Sequence, residues 1–296
     1  MRFGLYLPNQ ADFADVGTLA SLARDAEDAG WDGIFIWDEI VPVYEYAVGR
    51  PKAESELGTD WAAAADGIVA LTAIAAATEA IRFGTLVTPV SRLRPEVFAH
   101  QTATLDRFSG GRLVVGVGLG NPDTQFRAFG HPTDPRVRAS QVDEFLTVLT
   151  ALWTGRPVDA GGSYFTARGI ALRPPPVQQP RIPIWVGADS GRRRPRRRAA
   201  RWDGFVPAST GWPNEVISPA EFGRIAEDIG SQRSSDAPFD LVLIGNADAT
   251  QPTPGALDDY AGVGVTWLLV QALTLEAARA RITAGPPRPP SWPSPG

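Results

Sequence analysis

Asp38 and Glu39 are adjacent carboxylates, and they are the residues of this sequence best suited to acid–base chemistry. They follow Gly33–Trp37, whose uninterrupted hydrophobicity is typical of a strand buried on both faces, so we expect both acids at a sheet edge. Two acids at such an edge can transfer a proton to a substrate or hydrogen-bond a heterocycle. The alternative, open for Glu39 in particular, is the start of a solvated loop.

The composition limits which other chemistry is available. The 296 residues include no cysteine and only two histidines. This excludes thiolate nucleophiles, disulfides and cysteine-ligated metals, and it leaves too few ligands for a histidine metal cluster. We therefore expect no metal site. An organic cofactor would supply the reactive group, and the protein would bind and orient it beside a small-molecule substrate.

Two glycine-rich segments are candidates for binding the anionic part of a ligand. They consist of Gly118, Leu119, Gly120 and Asn121 after one apolar run and of Gly187, Ala188, Asp189 and Ser190 after another. Glycine permits close backbone approach and leaves N–H groups free for an anion. The first segment is not a dinucleotide fingerprint, because Pro122 follows where a helix should begin. A tight turn at the rim of a barrel is the alternative interpretation.

The run GRRRPRRRAAR at residues 191–201 is strongly basic in a chain of net charge −5. It has no interleaved aromatic residues, and the overall charge is acidic, so we expect no nucleic-acid partner. A helix beginning near residue 192 would instead point its free N–H groups at a phosphate. Most of the arginines are then expected to face outward on a solvated surface.

Eight apolar runs predict strands at Phe3–Leu7, Gly33–Trp37, Ile81–Val87, Arg112–Val117, Ile184–Val186, Gly204–Val206, Leu241–Ile244 and Val265–Val270. Amphipathic helical stretches separate them, which predicts a parallel sheet with crossover helices. Residues 29–35 (AGWDGIF) resemble residues 200–206 (ARWDGFV), and the two segments precede the second and sixth strands. Because four strands separate them, two similar half-barrels are indicated. The predicted fold is an α/β (β/α)8 barrel rather than an open doubly wound sheet.

The remaining segments define the predicted domain organisation. Residues 156–182, before the fifth strand, are expected to form a small hairpin insertion, and Trp185 and Trp267 are expected to pack between barrel and helices. The barrel is predicted to span residues 1–284, followed by a disordered proline-rich tail at 285–296. No leader sequence or membrane-spanning run is apparent, so we expect a cytoplasmic protein without a membrane partner.

Several motifs together carry a resemblance to a known family. They are MRFGLYLP at the start, AEDAGWDGIFIWD, and the long segment IRFGTLVTPVSRLRPEVFAHQTATLDRFSGGRLVVGVGLGN at 81–121, followed by PRIPIWVGA and RRAARWDGFVP. With these motifs, residues 1–285 resemble the luciferase-like monooxygenase superfamily of flavin- and deazaflavin-dependent oxidoreductases. The segment at 81–121 is the most specific of them.

The resemblance implies a cofactor at the carboxyl ends of the barrel strands, either coenzyme F-420 (an 8-hydroxy-5-deazaflavin) or FMN. It also implies a bulge at Thr85-Leu86-Val87 that backs the cofactor ring, often with a non-prolyl cis peptide, which we place between Thr85 and Leu86. The two glycine-rich segments match the family's phosphate-binding positions. Asp38 matches an acidic position close to the ring.

One departure from the family pattern concerns the acids. Many deazaflavin-using relatives have Asp-His where this sequence has Asp38-Glu39, so a catalytic histidine cannot be carried over. We predict that these two acids are catalytic and that hydride passes between coenzyme F-420 and a small organic substrate; with FMN, the reaction would be monooxygenation. The alternative is a non-catalytic flavin-binding protein on the same scaffold. Relatives are commonly dimers, so a homodimer is expected.

Overall fold

The computed structural model describes residues 1–40, 63–120, 123–209, 215–245, 254–287 and 289. The strands in these ranges are β1 (Arg2–Leu7), β2 (Gly33–Ile36), β3 (Arg82–Pro89), β4 (Leu113–Gly118), β5 (Val158–Gly161), β6 (Thr166–Ile170), β7 (Ile184–Asp189), β8 (Gly204–Ala208), β9 (Asp240–Ile244) and β10 (Trp267–Gln271). The α-helices are α1 (Val16–Asp28), α2 (Gly67–Ala77), α3 (Pro95–Phe108), α4 (Asp123–Ala128), α5 (Pro135–Trp153), α6 (Arg193–Ala199), α7 (Pro219–Gly230), α8 (Pro254–Gly262) and α9 (Leu275–Ala284).

Eight of the strands close into a parallel barrel in the order β1-β2-β3-β4-β7-β8-β9-β10, and β10 pairs back onto β1. Each apolar run predicted to be a strand contributes one of these eight, which confirms the (β/α)8 barrel. β5 and β6 pair as the antiparallel hairpin expected in the insertion before the fifth barrel strand. Parallel closure places the carboxyl ends of all eight strands at one mouth of the barrel.

The repeated Trp-Asp-Gly segments perform the same task in the two halves of the barrel. The carboxylate Oδ2 of Asp32 accepts a hydrogen bond from the N–H of Phe3 at 2.8 Å, and Oδ2 of Asp203 accepts one from the N–H of Ile184 at 2.9 Å. The N–H of each aspartate in turn donates to the carbonyl of the same partner. Each aspartate thus ties the start of one strand to the strand before it, which explains why the motif recurs.

The barrel interior is filled at its amino end by three aromatic side chains, Phe35, Trp185 and Trp267, here called the aromatic floor. The ring of Phe35 lies 5.1 Å from that of Trp185 and 5.7 Å from that of Trp267. A Cβ atom at Gly204 would lie 2.4 Å from Trp185, and one at Gly33 would lie 2.8 Å from Trp267. The expectation that these tryptophans pack between barrel and helices is therefore wrong, because glycines in the strands make room for them inside.

The arginine run forms α6, which begins close to the predicted residue. Five of the seven arginines in the run are exposed, as predicted for most of them: Arg192, Arg193, Arg194, Arg197 and Arg201. The other two point inward: Arg198 is buried and its Nε lies 2.7 Å from Asp143, while Arg196 lies 3.2 Å from Asp228. Both pair with acids on neighbouring helices, so part of the run holds the helical layer together.

The last described helix is α9, and Gly285 ends it with a φ of 72°. Residues 288 and 290–296 of the expected proline-rich tail lie outside the described residues, so its disorder stays a prediction. Within the described ranges, none of the helices has both the length and the apolar character that crossing a bilayer requires.

Candidate active site

A bulge interrupts β3 where the strand reaches the barrel mouth. Thr85 pairs with Val115 and Thr88 with Val117, so β3 contains one more residue than β4 between these pairs. The predicted bulge is therefore confirmed. The cis peptide joins Leu86 to Val87, so its predicted position between Thr85 and Leu86 is wrong by one residue. Thr85 still pairs regularly with β4, and the departure from the strand begins only after it.

Side chains on both sides hold the bulge in place. The hydroxyl of Tyr6 donates a hydrogen bond to the carbonyl oxygen of Leu86 at 2.5 Å. Thr88 donates to Oδ2 of Asp38 at 2.7 Å, and its hydroxyl lies 2.6 Å from that of Thr85. Burial raises the pKa of the Tyr6 phenol well above its usual range, so the phenol remains a donor. The bulge is thus tied to β1 through Tyr6 and to the first acid through Thr88.

The glycines next to the bulge are explained by packing. A Cβ atom at Gly118 would lie 2.4 Å from the side chain of Val87, and a Cβ at Gly187 would lie 2.4 Å from another methyl group of the same valine. Gly120 has a φ of 77°, and a Cβ there would lie 2.6 Å from Phe126. The sequence predicted glycine for close approach to a ligand, whereas these contacts show that the glycines also accommodate the side chains of Val87 and Phe126.

Asp38 is the more completely bonded of the two predicted acids. Nη2 of Arg92 donates to its Oδ1 at 2.9 Å and to its carbonyl oxygen at 2.7 Å, while Thr88 occupies Oδ2. The side chain of Arg92 is only 4% exposed, so this ion pair is shielded from water. Burial raises the pKa of the Asp38 carboxyl, and the Arg92 charge and the Thr88 hydrogen bond oppose that rise. Asp38 is suited to anchoring Arg92 rather than to exchanging a proton.

Glu39 is held at its backbone and at one carboxylate oxygen. Asn9, which is fully buried, donates from Nδ2 to the carbonyl of Glu39 at 2.9 Å and accepts from its N–H at 3.3 Å. Nε2 of Gln125 donates to Oε2 of Glu39 at 2.5 Å. Within the described ranges, Oε1 has no hydrogen-bond partner. Burial raises the pKa of Glu39 to about 7, opposed by Gln125 and Arg92 and reinforced by Asp38.

A cavity of about 590 Å³ opens at the mouth of the barrel. The predicted site residues that line it are Asp38, Glu39, Leu86, Gly118, Leu119, Gly120, Gly187, Ala188 and Asp189. Thr85 is buried behind the bulge. Ser190 is 2% exposed, and its hydroxyl bonds Glu221 at 3.2 Å, outside the lining. Asn121 lies outside the described residues.

Two cations line the cavity beside the glycine-rich segments. Arg138 is buried, and its Nη1 donates to the carbonyl of Gly120 at 3.1 Å. Arg192 is exposed, and its Nε lies 3.6 Å from Asp189. The helix that follows, α6, begins at Arg193 beside them. These two side chains thus add positive charge next to the helix start, whose role in holding a phosphate stays a prediction.

Several residues at this mouth were missed from the sequence. They are Tyr6, Asn9, Arg92, Gln125 and Arg138, which bond the bulge, the acids or the first glycine-rich segment. Position offers a partial signal, since Tyr6, Asn9 and Arg92 lie at or just beyond the carboxyl end of a strand. Gln125 and Arg138 stand on helices, and nothing in their local sequence marks them.

Comparison with known proteins identifies the family. A model of the luciferase-like monooxygenase family matches residues 1–242, and the chain belongs to that family. The predicted family is confirmed, and with it the class of enzyme, an oxidoreductase.

Individual relatives agree with this assignment. An F420-dependent glucose-6-phosphate dehydrogenase of Beutenbergia cavernae is 30% identical over 245 residues, which cover 82% of this chain and 67% of the relative. An uncharacterized protein of Mycobacterium tuberculosis is also 30% identical, over 91% of each chain. Among solved structures, a monooxygenase of Streptomyces bottropensis superposes with a TM-score of 0.71 at 18% identity, covering 96% of this chain and 97% of that one. At that identity, the structural likeness shows the shared fold alone.

Proposed function

We propose that this protein is a coenzyme F-420-dependent oxidoreductase in which Glu39 exchanges a proton with a small organic substrate. The observation that carries the proposal is the Glu39 carboxyl. It lines the cavity, one of its oxygens is bonded to Gln125 and the other has no partner among the described residues. Its pKa of about 7 is suited to both donating and accepting a proton near neutral pH.

The cavity fits a cofactor of this kind. Its volume of about 590 Å³ is in the range of ligand sites, and its walls include the apolar side chains of Trp37, Leu86 and Val206. Leu86 and Val87, at the bulge, would back the planar ring. The anionic arm would lie along Gly118–Gly120 and Gly187–Asp189, where Arg138 and Arg192 supply positive charge.

The deazaflavin would supply hydride transfer, and the residues of the chain would handle the accompanying proton. When the substrate is oxidised, Glu39 must accept a proton, so this direction requires its carboxylate and speeds up as the pH rises through about 7. The reverse direction requires the protonated acid and slows over the same interval. Asp38 would keep Arg92 in position, because all of its carboxylate contacts are already made.

The choice of coenzyme F-420 is supported by the dehydrogenase relative, which uses that cofactor and is 30% identical over most of this chain. FMN-dependent monooxygenation is the second candidate. The description of the family supports it, as does Glu39 at a position where many deazaflavin-using relatives have histidine. The substrate is a small molecule under either candidate, and the homodimer expected from the resemblance is part of the proposal.

The test is binding and turnover with each cofactor. Purified protein is titrated with coenzyme F-420 and with FMN while absorbance and fluorescence are recorded, and the reduced complexes are then exposed to oxygen. We expect tighter binding of coenzyme F-420 and no rapid oxygen consumption. Preference for FMN together with rapid oxygen uptake would instead establish the monooxygenase. Binding without turnover over a broad panel of alcohols, aldehydes and ketones would favour the non-catalytic alternative.

A further inference from the structure

Gln125, on α4, faces two charged side chains with the two ends of its amide. Nη1 of Arg92 donates to its Oε1 at 3.4 Å, and its Nε2 donates to Oε2 of Glu39 at 2.5 Å. Guanidinium groups can donate hydrogen bonds but not accept them. Arg92 therefore selects the oxygen of the amide, and the NH2 group has to point at Glu39.

Arg92 is itself held in one orientation. Its Nη2 is bound by both the carboxylate and the carbonyl oxygen of Asp38. Asp38 also accepts from Thr88, so two donors converge on Asp38, while on its other side Arg92 donates to Gln125 and Gln125 donates to Glu39. The direction of the hydrogen bonds from Arg92 to Gln125 and on to Glu39 cannot reverse, because a guanidinium group cannot accept a hydrogen bond.

We propose that Gln125 is a positioning residue that keeps Oε2 of Glu39 as a hydrogen-bond acceptor, so that the exchanged proton resides on Oε1. A proton on Oε2 would face the NH2 group of Gln125, placing two donors against each other. Oε1 has no hydrogen-bond partner in the described part of the chain, and Glu39 lines the cavity. The inference rests on the proposed function in one respect only, namely that the proton is exchanged with a substrate.

The same contact affects how readily Glu39 ionises. Among the described residues, the charged and titratable groups that face Glu39 are Asp38, Arg92 and Tyr6. Gln125 is the neutral group that donates to its carboxylate, and such a donor favours the ionised form. Removing the donor while the three other groups stay in place is expected to raise the pKa of Glu39.

Infrared difference spectroscopy on the purified full-length chain, titrated without added cofactor, tests both consequences. In the native protein, the protonated Glu39 should show the lowered C=O stretching frequency of a carbonyl that accepts a hydrogen bond, since Oε2 is then the carbonyl oxygen. Gln125→Met retains the length of the side chain but removes the donor. It should raise that frequency and move the titration midpoint up by about one to two pH units, the effect of one hydrogen bond to a charged group.

Three variants control the measurement. Glu39→Gln should abolish the band and so assign it. Gln141→Met, a matched replacement of a half-buried glutamine on α5, should leave frequency and midpoint unchanged. Gln125→Asn, whose shorter side chain cannot reach Glu39, should reproduce the effect of Gln125→Met and replaces it if that variant fails to fold.

Either of two results would overturn the proposal. One is that Gln125→Met or Gln125→Asn shows the same C=O frequency and the same titration midpoint as the native protein. The other is that the band of the native protein already lies at the high frequency of a carbonyl that accepts no hydrogen bond. Because no cofactor is added, failure to bind coenzyme F-420 or FMN would count against the proposed function and leave this result standing. With a substrate that the enzyme turns over, the midpoint of the pH dependence of turnover should shift in the Gln125 variants by as many pH units as the infrared midpoint.

Discussion

The two ends of the barrel each contain a partly buried acid, Glu39 at the carboxyl end and Asp240 at the amino end. Burial raises the pKa of both carboxyls. Both oxygens of Asp240 are occupied, since Thr266 donates to Oδ1 at 2.9 Å and Trp185 donates to Oδ2 at 3.2 Å. Glu39 has one occupied oxygen and lines a cavity. A raised pKa thus accompanies burial at either end, and an available oxygen beside a cavity is what distinguishes the candidate site.

Packing also distinguishes the two ends of the barrel: the amino end is filled, and the carboxyl end contains a cavity. At the amino end, the aromatic floor fills the interior, and glycines in the strands accommodate its rings. At the carboxyl end, the bulge and the polar side chains around it leave a cavity of about 590 Å³. One end is therefore expected to contribute mainly stability and the other mainly activity, as is general for this barrel fold.

The largest expected effect is on catalysis at the carboxyl end. Glu39→Gln keeps the shape of the side chain but removes the exchangeable proton, so turnover should fall by about 10²–10⁴-fold. Cofactor affinity should stay within about threefold, which is less than 1 kcal/mol. Steady-state kinetics and a cofactor titration measure the two quantities.

Asp240→Asn is the matched control at the other end. It changes a carboxylate whose pKa is raised in the same direction, and it should leave turnover at the native level. If Glu39→Gln retains full activity, or if Asp240→Asn lowers turnover as much as Glu39→Gln does, the contrast between the two acids is wrong.

The next largest effect is on stability at the amino end. Trp267 is fully buried in the aromatic floor. Trp267→Ala should lower the free energy of unfolding by about 3–5 kcal/mol, because a large cavity is left. Denaturant unfolding measures this loss. The protein that remains folded should bind cofactor with native affinity, and a clear loss of cofactor affinity in the folded variant would show that the two ends are coupled.

A smaller effect separates the arginines of α6. Arg198 bonds Asp143 through two nitrogens, at 2.7 and 3.0 Å, whereas Arg193 is exposed. Arg198→Gln should destabilise the fold by about 1.5–3 kcal/mol, the range for hydrogen bonds to charged groups. Arg193→Gln should change stability by about 0.5 kcal/mol or less. Equal losses in thermal unfolding of the two variants would contradict this division of the run.

A further expected effect, confined to one pH interval, is a pH dependence of stability. The pKa of Glu39 is raised from 4.5 to about 7 on folding, so the folded protein binds this proton more tightly than the unfolded chain does. The contribution of Glu39 to stability is therefore fully present below about pH 4.5 and is lost as the pH rises through about 7. Glu39→Gln should flatten the stability curve over this interval. An unchanged slope would mean that the pKa of Glu39 is not raised.

The sequence predicted the barrel because the fold depends on regular features. Buried parallel strands appear as apolar runs, and the repeated Trp-Asp-Gly segment reflects a bond that each half-barrel needs. Predictions from the sequence are less reliable where a structural detail depends on a single position in the chain. The cis peptide was misplaced by one residue, because its position depends on where the pairing of Thr85 with Val115 ends.

The candidate site was predicted through the acids and the glycine-rich segments, which lie at or just beyond the carboxyl ends of strands. Its bonding network was not, because Gln125 approaches Glu39 from a position 86 residues further along the chain. Such a contact depends on how a loop returns to the barrel, and no local pattern records that path. The outward orientation of most arginines in the run was predicted, but the sequence did not show which one is buried, since Arg198 and its partner Asp143 are 55 residues apart.

The pairing of β1 with β10 has a consequence for the synthesis of this protein. β1 is made before the other strands described, yet one of its edges acquires its native partner only when β10, the last of them, has been made. Until then, an apolar strand offers unpaired backbone groups to any neighbouring chain. Translation proceeds at about 5–20 residues per second, and the exposure lasts until β10, which ends at Gln271, has been added. The nascent protein is therefore expected to depend on chaperones, and slower translation without added chaperone should lower its yield.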